Sequence, residues 1–196
     1  MTGGHATVAL VLAAGAGARF HGATHKLAAT LAGRTVLHHV LASVCRAGFA
    51  HVLVVTGARR LADLDPDAPP AAIEVHHAGW DLGQATSLQA GLTAAGSRGA
   101  AAVVVGLGDQ PGVTTDAWRS VAAADAPLAV ATYGGRRGHP VRLAAAIWPL
   151  LPREGDAGAR VLMRARPDLV VEVPCDGKPA DVDTVEDLRR HATFEV

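Results

Sequence analysis

The first 62 residues of this 196-residue chain contain no aspartate or glutamate. Six of the 18 bases fall in that segment (Arg19, Lys26, Arg34, Arg46, Arg59 and Arg60), so the other 12 share the rest of the chain with all 18 acids. A formal net charge of zero therefore conceals a basic first third suited to an anion and an acidic remainder suited to a divalent cation. Aromatic residues are scarce, at 4%, which argues against a nucleic-acid surface of cations interleaved with stacking rings. Two cysteines, Cys45 and Cys175, cannot build a disulfide scaffold and read as reduced thiols. No apolar run approaches the ~18 residues of a membrane span. A basic n-region and a cleavage pattern are missing from the start, so a cytoplasmic protein with no membrane partner is expected. The 10 histidines are scattered, and the pairs His38–His39 and His76–His77 are adjacent rather than i, i+4, which speaks against zinc.

What the chain does have is alternation. Short β-branched runs at Val8–Leu12, His51–Val55, Ile73–His76, Ala102–Leu107, Leu128–Thr132 and Leu169–Val173 read as strands. The first and fourth are almost wholly apolar, as strands buried on both faces of a parallel sheet should be. Helical spacing occupies Thr35–Ala47, Ala85–Ala95, Thr115–Ala124, Val141–Leu151, Ala157–Arg166 and Thr184–His191. Gly48 stops the first of these, and Thr184 with Asp187 forms a near capping box. Strand–helix alternation over the whole length predicts one α/β domain, residues 1–196, a three-layer Rossmann-like sandwich with a mostly parallel central sheet flanked by helices. The "DPDAPP" stretch from Asp65 reads as a surface loop. In such folds ligands sit beyond the carboxyl ends of the strands.

The loop after the first strand, "LAAGAGARFHGATHKL", invites a dinucleotide reading through Gly15 and Gly17. That fingerprint needs a third glycine where Phe20 stands, and an acid about 20 residues on for the ribose; the first acid is Asp63. A Walker A loop needs four residues between its glycines and Lys-Ser/Thr after the second, which this loop does not supply. What remains is a glycine-rich turn with Arg19 and Lys26 at its far end, able to bring backbone N–H groups and two cations to a polyphosphate. A plain strand-to-helix turn with solvated bases is the other reading of these residues.

The loop resembles the Leu-Ala-Ala-Gly-x-x-x-Arg-(Met/Phe)-Gly-x-x-Lys signature of nucleotidyltransferases, and is most similar to that of the molybdenum cofactor cytidylyltransferases. It departs in having His21 between Phe20 and Gly22 and a path to Lys26 two residues longer. Five further segments resemble that family in order: "GWDLGQATSLQAGL", "GLGDQP", "GGRRGHPVRL", "EGDAGAR" and "DVDTVEDL". The resemblance covers almost the whole chain and implies an enzyme that transfers CMP from CTP to the phosphate of molybdopterin, releasing pyrophosphate, with Mg2+ as cofactor. By the same resemblance Ala14, where guanylyl-transferring relatives usually carry glycine, leans the base toward cytosine. A molybdenum hydroxylase-type enzyme would receive the product.

The same resemblance implies roles. Leu12, Ala13, Ala14, Gly15 and Gly17 embrace the nucleotide, Arg19 and Lys26 take its phosphates as catalytic cations, and Gln84 and Ser87 help hold the nucleoside. Asp109, directly after a buried strand, is the catalytic metal ligand and Asp183 the second, with Asp181 nearby. Gly106 and Gly108 leave room for the nucleotide. Gly138, His139 and Pro140, in a cationic loop, shape the acceptor side, where Asp156 and Arg160 position the acceptor. Each also has a structural reading: Asp109 as a turn cap, Asp183 as neighbour of the Thr184 cap, Ser87 as a helix cap, His139 as a loop histidine, Asp156 as a helix-start carboxylate and Arg160 as a surface base. Other substrates, such as GTP or another NTP as donor and a sugar phosphate as acceptor, keep the chemistry. A non-catalytic nucleotide- or cofactor-binding chaperone is the alternative of another class.

Overall fold

The computed structural model describes residues 6–192. In chain order the elements are β1 (Thr7–Ala13), β2 (Thr30–Leu31), β3 (Arg34–Thr35), α1 (Val36–Arg46), β4 (Val52–Thr56), α2 (Leu61–Leu64), β5 (Ala72–His76) and α3 (Gln84–Gly96). There follow β6 (Ala102–Leu107), α4 (Thr115–Ala123), β7 (Leu128–Tyr133), β8 (Arg136–Ala144), α5 (Arg160–Ala165), β9 (Val170–Pro174) and α6 (Val185–Ala192). β2 and β3 form a two-residue-deep antiparallel ribbon; the other strands make one seven-stranded sheet in the order β5-β4-β1-β6-β8-β7-β9. Only β8 runs antiparallel to its neighbours.

The layers follow from the period-2 geometry of β1. Ala9, Val11 and Ala13 face one side, where they pack with Leu37, Leu41 and Val44 of α1 and Trp118 and Val121 of α4. Val8 and Leu10 face the other, against Leu88 and Leu92 of α3 and Leu162 and Met163 of α5. Both faces of the central strands are thus buried, which is why β1, β4 and β6 read as unbroken apolar runs rather than alternating ones. At about 25 cal/mol per Å2, each fully buried leucine or valine here contributes roughly 1.5–3 kcal/mol, and the three-layer sandwich expected from the sequence is what forms.

Three expectations need correction. Val141–Leu151 is not a helix: β8 runs through Ala144, and a 3-10 turn at Ala145–Leu150 follows. Val141 and Leu143 are buried on either side of half-buried Arg142, an alternation of period 2 obscured by the alanines that follow. "RRGHP" is accordingly not a loop but the first half of β8, hairpinned to β7 through Gly134 and Gly135. Asp65 is no surface-loop residue either. It is 2% exposed and accepts from or pairs with His38 Nδ1 at 3.0 Å.

Candidate active site

The carboxyl ends of β1 and β6 lie side by side, Leu12 opposite Leu107, and the loops that leave them meet. After β1 the chain folds back sharply: Phe20 N–H donates to Gly17 O at 2.9 Å. Gly17 has φ +67°, and a Cβ there would stand 3.2 Å from both His25 Nε2 and Lys26 Cγ, so the turn accepts only glycine in comfort. The extra length of the loop lies in the exposed stretch His21–Thr24. His25 then closes it, with Nε2 3.0 Å from Gly15 O and Nδ1 accepting the Leu27 N–H at 3.2 Å.

Lys26 opens a 3-10 turn, Lys26–Ala28, and points its ammonium at two carboxylates: Asp109 Oδ2 at 2.5 Å and Asp183 Oδ1 at 2.9 Å. Arg19 reaches the other oxygen of Asp183 at 3.0 Å from the loop surface. Residues 83 and 157 positions apart in the chain therefore share one point. Burial disfavours the charged ammonium, but the charges and hydrogen bonds of Asp109 and Asp183 outweigh it and hold the Lys26 pKa above its ordinary value. Burial is also the main influence on Asp109; with the charges of Asp181 and Asp183 it outweighs Lys26 and raises that carboxyl. Asp109 Oδ1 is buried without a hydrogen-bond partner.

Asp183 arrives by a short zipper. Val182 N–H donates to Asp109 O at 2.8 Å while the Val182 side chain is fully buried. Val182 is buried between exposed Asp181 and half-buried Asp183, and the charges of both carboxylates bear on Asp109. Gln110, 6% exposed, ties Asp181 Oδ1 at 2.7 Å and Pro179 O at 3.2 Å through Nε2. Behind Asp183 stands the near capping box: Thr184 N–H and Asp183 N–H both donate to Asp187 Oδ2, and Asp187 N–H returns to Thr184 Oγ1 at 3.2 Å. Among the described residues no group of three or more His, Cys, Asp or Glu side chains is arranged to hold a metal. Mg2+, however, commonly takes only one or two carboxylates and completes its shell with phosphate and water. The unpartnered Asp109 Oδ1 beside Asp183 fits that donor set.

Two cavities adjoin this point, and Leu12 and Gln84 line both. The first, of about 370 Å3, is lined by Ala13, Ala14, Gly15, Lys26, Ser87 and Asp109, together with Trp80 and Asp81. Trp80 and Asp81 belong to the "GWDLGQ" segment, but their motif positions alone assign them no role; only the fold brings them to the cavity wall. Ser87 is 3% exposed on the first turn of α3; Thr86 is committed instead to Gly83 O at 2.8 Å. Gly106 does not make room for a ligand: a Cβ there would strike Trp118 at 2.4 Å, and one on Gly108 would meet Leu37 and Ala13.

The second cavity, of about 480 Å3, has an apolar wall of Leu88, Val105, Val141, Leu143 and Met163 and a rim that includes Arg136, Arg160, Lys178 and Asp181. Gly138 and His139 line it; Pro140 is buried just behind. The β7–β8 ladder shifts register between Val130 and Ala131, pairing them with Val141 and Gly138. His139 and Pro140 thus bulge out of the pairing, a device by which strands re-aim side chains. Tyr133 OH donates to His139 O at 2.7 Å. Burial above all, then Arg160, pushes the His139 ring down to about 4, so it is neutral at pH 7. Arg160 lines this cavity but Asp156 lines the other one, where its Oδ1 accepts the first N–H of α3, Gln84 N, at 3.4 Å. Asp156 is therefore a helix-start carboxylate, of α3 rather than of the helix it precedes. Gly83, at φ +111°, lets that loop dock, since a Cβ there would stand 2.7 Å from the Gly155 backbone.

A family model described as the MobA-like NTP transferase domain matches residues 9–170. The chain belongs to that family. Nicotine blue oxidoreductase of Paenarthrobacter nicotinovorans is 34% identical over 195 residues, covering 92% of this chain and 94% of its own. Rv0371c of Mycobacterium tuberculosis H37Rv, solved in complex with manganese, superposes with a TM-score of 0.71 at 27% identity, covering 96% of this chain and 98% of that one. A nucleotidyl transferase from Methanothermobacter thermautotrophicus shares the fold at a TM-score of 0.84 and 24% identity, with 97% and 98% covered. The MobA-like NTP transferase is a nucleotidyltransferase enzyme, and the resemblance carried by its motifs holds.

Proposed function

We propose that this enzyme transfers CMP from CTP to the phosphate of molybdopterin. An acceptor phosphate oxygen attacks the α-phosphorus of the nucleotide, the α–β phosphoanhydride bond breaks, and pyrophosphate leaves. The observation that carries the reading is the Lys26–Asp109–Asp183 cluster beside two cavities that share Leu12 and Gln84, one lined by the small residues after β1, Lys26 and Asp109, the other by an apolar wall with a basic rim. The single domain works as a unit, with the nucleotide in the first cavity and the flat pterin and its phosphate in the second. Arg19 and Lys26 face the triphosphate, Gln84 and Ser87 the nucleoside, Gly15 and Gly17 the phosphates through their backbone. Gly138, His139, Pro140 and Arg160 shape the acceptor side. Asp109 and Asp183 would hold Mg2+, which when bound neutralises the charge that gathers on the phosphates. The acceptor phosphate is already anionic at neutral pH, so no strong general base is needed.

The relative named as an oxidoreductase supports a second reading, reduction with a nicotinamide cofactor. Against it, β4 ends at Thr56 and is followed by Gly57-Ala58-Arg59, with no acid there to hold the adenosine ribose. One assay separates the readings. Pyrophosphate release is measured from each of the four NTPs, with and without molybdopterin, beside an arm that follows NAD(P)H oxidation. Strict dependence on CTP and pterin is the expected result. GTP dependence, or a sugar phosphate acceptor, changes the substrates and keeps the chemistry. Nucleotide binding without pyrophosphate release for any acceptor overturns catalysis in favour of a cofactor-carrying chaperone. A product formed in the cytoplasm would pass to a molybdenum hydroxylase-type enzyme.

A further inference from the structure

The signature loop is two residues longer than the pattern it resembles, yet Lys26 still reaches both carboxylates. One side chain spans the lengthened loop. His25 lies half-buried against Gly17, whose missing side chain makes room for the ring. Its Nδ1 accepts the Leu27 N–H at 3.2 Å, which caps the 3-10 turn that Lys26 begins. A ring nitrogen that accepts leaves the neutral imidazole with its proton on the other nitrogen, so Nε2 donates to Gly15 O at 3.0 Å. The ring therefore reaches back 10 positions to the first strand's exit at Gly15 and forward to the residue after Lys26. The exposed residues His21–Thr24 loop out beyond that tie.

We infer that His25 is a positioning residue: through the tie of Nε2 to Gly15 O it anchors the turn that Lys26 begins and so fixes where the Lys26 ammonium stands relative to Asp109 and the nucleotide phosphates. This rests on the proposed role of Lys26 toward the triphosphate. His25 touches no reacting atom and acts through Lys26, so its effect must vanish when Lys26 is gone.

The two hydrogen bonds can be separated by substitution. Asn places an acceptor where Nδ1 is and keeps the cap of the turn; Gln extends a donor toward the position of Nε2 and keeps the tie to Gly15. The affinity for CTP with Mg2+ is measured by calorimetry, and KM and kcat by pyrophosphate release, for His25→Ala, His25→Asn, His25→Gln, Lys26→Ala and the double variant His25→Ala/Lys26→Ala. His25→Ala and His25→Asn are expected to weaken CTP binding about 3- to 10-fold, the scale of one net hydrogen bond. His25→Gln is expected to stay within about twofold of the parent. Melting temperatures report whether each variant folds. In the double variant the loss should equal that of Lys26→Ala alone, because coupled residues do not add. Additive losses, rescue by Asn rather than Gln, failure of Gln to rescue, or parent-like binding in His25→Ala would overturn the inference. If Lys26→Ala itself leaves CTP binding unchanged, the functional reading of the loop falls instead.

Discussion

The two cavities that meet at Leu12 and Gln84 are built on different principles. The nucleotide-side cavity is framed on one side by a single loop, Leu12 to Gly15 and then Lys26 and Leu27, and is closed by Trp80, Asp81, the start of α3, Asp109 and Asp156. On the loop side its walls are largely backbone and small side chains, so the shape of that side depends on turn geometry at Gly17 and on the tie through His25. The acceptor-side cavity draws on β6, β8, α3, α5 and the segment before α6. Its walls are side chains brought together by strand pairing and helix packing. A phosphate-binding pocket built from a local turn tolerates little change in that turn, whereas a pocket assembled from distant elements can exchange side chains one at a time. Under the proposed function this division would put the common donor against the local loop and the variable acceptor on the side that can diverge.

Asp109 lines the nucleotide-side cavity and, under the proposed function, would anchor the metal with Asp183. Asp109→Ala should lower pyrophosphate release by ~10^2-fold or more, the scale of removing a preorganised electrostatic group. The fold should persist, since the carboxylate is held at an unfavourable, raised pKa and Lys26 keeps Asp183. Near-normal turnover with unchanged circular dichroism would remove Asp109 from the proposed metal site.

The same contrast explains what could be read from the sequence. β1 and its loop are legible because the information is local: five apolar residues, small residues, then Arg19 and Lys26. α1 and α6 are legible through their period and their caps, and the Thr184–Asp187 pairing forms as the spacing implies. β8 is not legible. Its hydrogen-bond partners lie in β6 and β7, its first half is polar, and Pro140 lacks the N–H that marks a ladder position. Only Val141 and Leu143 flanking Arg142 betray it, against three consecutive alanines that suggest a helix. The joining of Lys26 to Asp109 and Asp183 is likewise not a local property; the motifs implied it through resemblance, and the zipper from Val182 N–H to Asp109 O achieves it. The commitment of Asp156 to α3 could not be foreseen, because it depends on how the Gly155 loop docks on Gly83.

A smaller effect should separate the two cavities cleanly. Arg160 lines the acceptor side alone and its charge bears on His139. Arg160→Ala is expected to raise the acceptor KM about tenfold, the scale of one charge-assisted hydrogen bond, while CTP affinity by calorimetry stays within about twofold. A loss confined to CTP binding would show that the assignment of the cavities is reversed.

The mildest perturbation concerns the support behind Asp183. The Thr184 hydroxyl foremost, then Arg190 and the backbone N–H groups of Thr184 and Asp183, hold the Asp187 carboxyl down from 3.8 to about 2. A carboxyl whose pKa is lower folded than unfolded stabilises the fold above its unfolded value and loses that contribution as pH falls through its folded value. The stabilisation is therefore present at neutral pH and drains away between about 4 and about 2. Asp187→Asn should cost about 1 kcal/mol or less at pH 7, because the amide oxygen can still accept one of the cap hydrogen bonds, and chemical denaturation across that acid window should show a flatter pH dependence than the parent. Pyrophosphate release should fall only a few-fold, since Asp187 acts on the site only indirectly, through the backbone N–H groups of Asp183 and Thr184. A loss as large as that of Asp109→Ala would instead make Asp187 as important to the reaction as the carboxylates that face Lys26.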